Sequence, residues 1–341
     1  LQALIDWSYE LLTEPECALL RCLAVFAGGW SIAAAEQVCA AENLPADAVL
    51  EPLTRLVDKS LVSLESGSGE ARYSMLETIR QYAREKSTAA ELQALRDRHL
   101  TYFAAFASQL EPALWRREQK QWLARASQEH DNLRLALEWA LSDPTNHERF
   151  STGARLAADL GMFWNIRGFW REGADWYARF ILAADSAALA LPPMLLTWNA
   201  HLNIQLGQLN FGRDLFERAY SEAEQQGDEL ARAFALFGRA NVRQVDCANS
   251  GNEDLSKALL IFRALNHQPG AALVLSSQGN VASENQDWSA ARAFYMENMD
   301  ICRALGHRLG LAGTYMALAN IEVQNRQLEQ ARIYLEEIAS I

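Results

Sequence analysis

The sequence predicts a mainly α-helical protein. A compact helical module with a short β-hairpin stands at the front, a helical linker follows, and stacked helix pairs fill the rest. Three observations carry this expectation. A phrase near the C-terminus recurs after forty residues: GNVASENQDWSAARAFY at 279–295 returns as ANIEVQNRQLEQARIYL at 319–335. Apolar residues in the rear half keep a 3.6-residue spacing interrupted by short polar turns. Two short strand-like stretches, LVSLE (61–65) and ARYSML (71–76), follow a run of capped helices.

The recurrence defines a unit. Leu311, Tyr315, Leu318, Ala319 and Ile321 form one stripe, the turn QNRQ breaks it, and Leu328, Ala331, Tyr334 and Leu335 form the next. The same rhythm occupies 202–228 and 238–267, with a degenerate copy at 160–185. The endings QQGD, ALNH and ALGH fall at 225–228, 264–267 and 304–307, spaced by 39 and then 40 residues. Gly227, Asn266 and Gly306 suit the left-handed residue that closes a helix. Two helices per unit at this period mean an α-solenoid over 150–341, of about four to five helix pairs. The pattern resembles a tetratricopeptide (TPR) repeat. A small residue (Ala240, Gly279, Ala319) permits close helix approach. A large one (Leu209, Trp288, Leu328) opens the second helix, and a second small one (Gly212, Ala291, Ala331) precedes an aromatic or Leu (Phe216, Tyr295, Leu335).

Asn241, Asn280 and Asn320 follow the small residue in three units, and His201 occupies that place in another. Asn is a poor helix former. Two readings fit: solvated or locally bonded amides, or a ladder of amides clamping the backbone of an extended peptide. Phe237, Gln244, Ser276, Ser283, Met316 and Val323, one turn away, would share that ligand groove. The same mixture suits a site filled by the protein's own upstream domain.

The chain has 341 residues, half of them apolar, and 43 acidic against 31 basic side chains. That balance repels phosphate backbones unless a local basic patch overrides it. Cys17, Cys22, Cys39, Cys247 and Cys302 are odd in number and form no C-x-x-C pair. They are expected to be reduced thiols of a cytoplasmic protein without a metal site. No apolar run approaches the roughly 18 residues of a membrane helix. The opening LQALIDWSYELL lacks Met and a basic start, which suggests a piece of a longer polypeptide rather than a signal peptide.

At the front, Thr13, Pro15 and Glu16 make a capping-box start, Gly28-Gly29 ends that helix, and Ser31 caps the next. Residues 46–60 form a further helix, and SGSG turns between the two strands. Three helices and a hairpin predict a winged-helix domain at 1–95, followed by a helical linker at 96–149.

The motifs LQALIDWSYELL, LAVFAGGWSIAAAEQVC, LTRLVDKSLV, YSMLETIRQYAREK and EHDNLRLALEWAL resemble the bacterial signal-transducing NTPases of the STAND (NB-ARC-like, AP-ATPase-like) class, among them large LuxR/SARP-type transcriptional activators. The resemblance covers 1–141, and the repeats follow in family order. It implies an upstream nucleotide-binding domain carrying ATP or ADP, which the winged helix clasps, and repeats that sense an effector, peptide or partner protein. Relatives carry a Met-His-Asp motif after the wing. Met75, Leu76 and Glu77 stand there, and Leu76 cannot hydrogen-bond a phosphate. Glu77 and Arg80 could still make polar contacts at the clasp.

Charge argues against DNA binding by this winged helix. Residues 1–95 hold 14 acids and 7 bases, net −7, and the would-be recognition helix carries Asp47, Glu51 and Asp58 against Arg55 and Lys59. In the linker, WRREQK is a solvated helix start between Trp115 and Trp122, or a contact for phosphate or an acidic partner. His130-Asp131 is a packing or capping pair, since adjacent helical residues do not face each other. Phe163, Trp164, Phe169, Trp170 and Trp176 form either the core of the first repeat or an effector pocket. No activated nucleophile, metal site or phosphate loop is present, so no cofactor and no catalysis are expected of these residues. The expected function is the regulatory clasp and sensor arm of a signalling NTPase; the alternative is a TPR scaffold that docks a fixed partner without switching.

Overall fold

The computed structural model describes residues 2–40, 45–65, 71–246 and 251–340. It divides into two units: Leu1–Ser108 with Ala124–Leu156, and Gln109–Leu123 with Ala157–Ile341.

In the first unit, α1 (Gln2–Glu10) precedes α2 (Glu14–Leu23). The Thr13 amide donates to the Glu16 carboxylate at 2.7 Å, as the capping-box sequence predicts. Helix α3 (Ile32–Cys39) starts at Ser31, whose hydroxyl accepts from the Ala34 amide at 3.2 Å. Strands β2 (Ser63–Glu65) and β3 (Arg72–Ser74) pair antiparallel with Leu64 opposite Tyr73. The expected hairpin tip, SGSG, lies outside the described residues. β1 (Trp30–Ser31) pairs with the other edge of β3, giving the order β1-β3-β2. Two residues are too few to show alternation, so β1 is silent in the sequence.

Two further details depart from expectation. Helix α2 stops at Leu23 rather than at Gly28-Gly29, and the intervening loop turns through Gly28 (φ 65°) and Gly29 (φ 111°). Residues 46–60 are not one helix: a 3-10 turn (Ala46–Ala48) leads into α4 (Leu50–Asp58). Leu19, Leu20, Leu23, Phe26, Trp30, Val38, Leu53 and Leu56 make the buried centre.

The cysteines require a correction. Cys22 and Cys39 are joined in a disulfide between α2 and α3, with Cα atoms 5.6 Å apart. Their separation of 17 residues resembles no local motif; packing of two helices brings them together. Cys17 and Cys302 are buried free thiols, and Cys247 lies outside the described residues.

Helices α5 (Glu77–Glu85), α6 (Ala89–Ala113), α7 (Gln119–Gln128), α8 (His130–Leu141) and α9 (His147–Asp159) follow. The expected boundaries at 95 and 149 fall inside α6 and α9. Within the first unit, the start of α8 brackets the loop before β1. Asn132, fully buried, accepts from the Ala27 amide (2.7 Å) and donates to the Gly29 carbonyl (2.8 Å) and to Glu129 (2.7 Å). Arg72 of β3 pairs with Glu129 and donates to the carbonyls of Gln128 (2.6 Å) and Gly29 (3.2 Å). His99 lies between the rings of Phe26 and Phe103, with Nε2 3.4 Å from Asn132 Oδ1.

The second unit is a superhelix of helix pairs. After α10 (Gly161–Arg167) and α11 (Trp170–Ala187) come α12 (Pro193–Gln205) with α13 (Leu209–Gln226) and α14 (Glu229–Asp246) with α15 (Asn252–Ala264). The last pairs are α16 (Gln268–Glu284) with α17 (Trp288–Leu305) and α18 (Arg308–Gln324) with α19 (Leu328–Ser340). First helices also meet the next first helix, α12 on α14 and α14 on α16, so they share one face of the stack. The small residues stand where backbones approach: a Cβ on Gly251 would lie 2.5 Å from the Ala240 carbonyl oxygen, and one on Gly212 3.0 Å from that of Ala200. Gly227 and Gly306 (φ 69° each) and Asn266 (φ 53°) close the second helices in the left-handed region, as their spacing predicts. Phe163, Trp164 and Trp176 are buried in the first pair. Residues 109–123 belong to this unit: Trp115 stacks edge-on with His307 on the turn between α17 and α18, ring centroids 5.8 Å apart.

Two outcomes follow from this packing. Gly251→Ala forces α15 away from Ala240, and the repeat unit loses about 1–3 kcal/mol in urea unfolding. Burial, opposed by the bond to Asn132, holds His99 down at about 4 against an ordinary 6.5. Between those values the unfolded chain binds a proton that the folded chain does not, so stability is complete above pH 6.5 and falls with acidification. His99→Gln is therefore expected to lose less stability than the parent between pH 7 and 4.5, by on the order of 2 kcal/mol, read from urea midpoints of the first unit.

Candidate functional site

The groove residues all lie on first helices. His201 is on α12; Phe237, Asn241 and Gln244 on α14; Ser276, Asn280 and Ser283 on α16; Met316, Asn320 and Val323 on α18. Asn280, Asn320, Met316 and Val323 are exposed, and the others are half-buried. Three of the four ladder positions are engaged within the superhelix. Asn241 Oδ1 accepts from the Ser277 hydroxyl of the next first helix at 3.1 Å. Asn280 Oδ1 accepts from the Tyr295 hydroxyl of its own pair at 2.6 Å. His201 Nε2 meets Asn165 Oδ1 of α10 at 3.2 Å, and burial lowers its pKa, so the ring is neutral at pH 7.

These bonds change the chemistry offered. Each bond takes one lone pair of the Asn241 and Asn280 carbonyl oxygens and leaves both amide NH2 groups, so the row keeps its donors. Gln244 adds to it: its Nε2 is shielded from solvent and has no acceptor among the described residues. Gln278 Oε1 on α16 is likewise shielded and has no donor among the described residues. Ser277, Tyr295 and Gln278 escape a reading by position because their partners are 36 and 15 residues away or absent.

Polar order continues behind the row. Arg239 pairs with buried Asp254 (2.7 Å) and with Glu217 (2.9 Å), and Arg243 reaches the same two carboxylates at 3.1 and 3.0 Å. These bonds raise the Arg239 pKa, Asp254 first, and fix α14 against α13 and α15.

In the first unit the clasp residues occupy the link from β3 to α5. Leu76 is 65% exposed at the N-cap of α5, Glu77 is exposed, and Met75 is half-buried. Arg80 faces inward: it donates to the Phe26 carbonyl at 2.9 Å and pairs with Glu77. It therefore braces the winged helix itself, leaving Leu76 and Glu77 as the outward pair.

The outer face of α4 presents Leu50, Glu51, Thr54, Arg55 and Asp58. Arg55 pairs with Glu51 at 2.6 Å. Lys59 is drawn to buried Glu16 (2.9 Å) and to the Leu11 carbonyl (3.3 Å). Both bases of this helix are matched within the fold. Among the described residues no His, Cys, Asp and Glu group could hold a metal, and no helix is long and apolar enough to cross a membrane.

Comparison with known proteins agrees with this anatomy. A family model for the winged helix-turn-helix domain matches residues 12–88. The chain is 32% identical over 325 residues to proteins named HTH-type transcriptional regulators in Mycobacterium bovis and Mycobacterium tuberculosis, covering 90% of this chain and 35% of theirs. An uncharacterised M. tuberculosis protein is 43% identical over 99 residues, 28% of this chain and 25% of that one. The chain thus spans about a third of the length of the regulators it matches. Among solved structures, it is similar to a signal transduction ATPase with numerous domains and a tetratricopeptide repeat sensor from Pyrococcus horikoshii (TM-score 0.55, 18% identity, 97% of this chain and 51% of that chain). It is also similar to the apo form of the quorum sensor NprR from B. thuringiensis (TM-score 0.50, 12% identity, 77% and 69%). At these identities the likeness is one of fold: a winged helix-turn-helix domain joined to TPR-like repeats.

Proposed function

We propose that this chain is the sensor and interaction arm of a larger cytoplasmic regulator. The first-helix row receives an extended peptide segment whose carbonyl oxygens meet the amide donors of Asn241, Gln244, Asn280 and Asn320. The observation that carries this reading is the exposure of Asn280 and Asn320 on first helices, beside Gln244, whose Nε2 has no acceptor among the described residues. An unsatisfied donor costs about 1–3 kcal/mol, which a ligand carbonyl recovers once the Gln244 side chain turns into the groove. Occupancy then biases the winged-helix unit between a resting and a released arrangement on a nucleotide-binding domain, with Leu76 and Glu77 at the contact. Such a ligand acts only if it binds the released form more tightly. Regulators among the sequence relatives and the fold of a TPR-bearing signalling ATPase support the reading.

The test is a calorimetric screen of the chain against extended peptides. A true groove ligand loses affinity by roughly tenfold or more, about 1.4 kcal/mol, on Gln244→Leu or on joint replacement of Asn241, Asn280 and Asn320 by Ala. Affinity that none of these changes touches removes the groove from the proposal.

We also propose that the winged helix here docks protein rather than DNA, because Arg55 and Lys59 are already matched by Glu51 and Glu16. A duplex probe in fluorescence anisotropy at physiological salt is expected to bind no more tightly than about 10⁻⁴ M, the loose end of non-specific binding. Micromolar affinity abolished by Arg55→Glu would establish the opposite reading, which the winged helix-turn-helix match favours.

A further inference from the structure

We propose that Cys22 and Cys39 form a reversible redox site, opened by low-molecular-weight thiols that enter through the cavity beside them. The cavity measures about 460 Å³, and Cys22, Cys39, Arg21, Arg98, Glu14 and Leu95 belong to its wall. The disulfide is therefore not sealed in the core, although each cysteine is at most 5% exposed. A space of this size admits a thiol carrying a short peptide or sugar.

The charged groups of the wall are Arg21, Arg98, Glu14 and Glu91, of which Glu91 accepts from Thr88 at 2.7 and 2.9 Å. Arg21 is engaged with the Tyr9 hydroxyl (3.0 Å) and Glu14 (3.6 Å). Arg98 makes one bond, from Nε to the Val38 carbonyl at 2.8 Å, and no carboxylate among the described residues pairs with it. Burial lowers its pKa, as for a cation lacking a counter-ion. Its bonded carbonyl belongs to the residue before Cys39, and Arg98 shares the cavity wall with both cysteines. A nearby cation stabilises both an attacking thiolate and a departing one. The other described thiols differ: burial raises the pKa of Cys17, and that of Cys302 to about 11, and neither lines the cavity.

The chemistry balances with two equivalents of thiol. A thiolate attacks one Sγ; a new S–S bond forms, the Cys22–Cys39 bond breaks, and the second cysteine leaves with the electron pair. A second thiolate attacks the mixed disulfide, releasing the small disulfide and the remaining cysteine. Solvent protonates both protein thiolates, and the two small thiols supply the two electrons. Opening removes the covalent tie between the last turn of α2 and the last residue of α3, and leaves Arg98 as a polar anchor of that end. The element so released leads towards α4.

The test equilibrates the folded full chain in glutathione buffers of graded redox ratio, then unfolds it, labels with a maleimide and weighs it. Three of the five cysteines are expected to label from oxidised buffer and all five from reduced buffer. Cys22→Ser is expected to carry one glutathione on Cys39 in oxidised buffer. Arg98→Gln should slow reduction of the folded protein by roughly tenfold while leaving the unfolded rate unchanged. Five labelled cysteines from oxidised buffer, or three from reduced buffer, overturn the proposal. An unchanged folded rate for Arg98→Gln overturns the part assigned to the arginine.

Discussion

The repeat unit depends on backbone contact at a few positions without side-chain bulk. Where Gly251 meets the Ala240 carbonyl, and Gly212 that of Ala200, no methyl group can be inserted between the helices. Close crossing sets the angle within a pair, and that angle decides which residues turn towards the shared face. Large buried rings then fill the space on either side of the crossing: Phe216, Phe262 and Tyr295 pack against Gly238, Gly270 and Gly279. The amide row is a product of this geometry. Its members occupy the same place in the repeat on α14, α16 and α18.

In the first unit a buried polar network supplements the apolar centre. Asn132 and Arg72 take up backbone groups of the loop at 27–29 that no regular element could satisfy, and Glu129 joins them. Buried polar networks of this kind are unforgiving: fully satisfied, they specify one arrangement, and a missing member leaves a desolvated partner. Arg80, Arg84 and Arg98 act similarly, each donating to a carbonyl of the winged-helix segment (Phe26, Ala24 and Val38). Arg80 and Arg84 thus brace the winged helix internally, and Arg98 ties it to α6 by gripping main chain. This explains why an acidic chain keeps arginines at these places.

Much of the architecture was legible in the primary structure because it is periodic or punctuated. The forty-residue interval, the left-handed closers at 227, 266 and 306, and the caps at Thr13 and Ser31 are local signals with local causes. Features built by distant residues were not legible. Strand β1 is too short to alternate, and the Cys22–Cys39 bridge depends on how two helices pack. Among the candidate site residues, position on a helix could be inferred, but not engagement. Nothing near Asn241 announces Ser277, and nothing near Asn280 announces the hydroxyl of Tyr295. EHDN at 129–132 invited attention to His130 and Asp131, whereas Glu129 and Asn132, three apart on one face, hold the loop.

The closing residues at 227, 266 and 306 carry an implication for how such a chain changes length over evolution. Each ends its helix with the same reversal of backbone handedness, so these three junctions between pairs resemble one another. A duplication or loss that begins and ends at these junctions adds or subtracts a whole pair without rotating the neighbours. The stack could thereby be lengthened or shortened in increments of one helix pair.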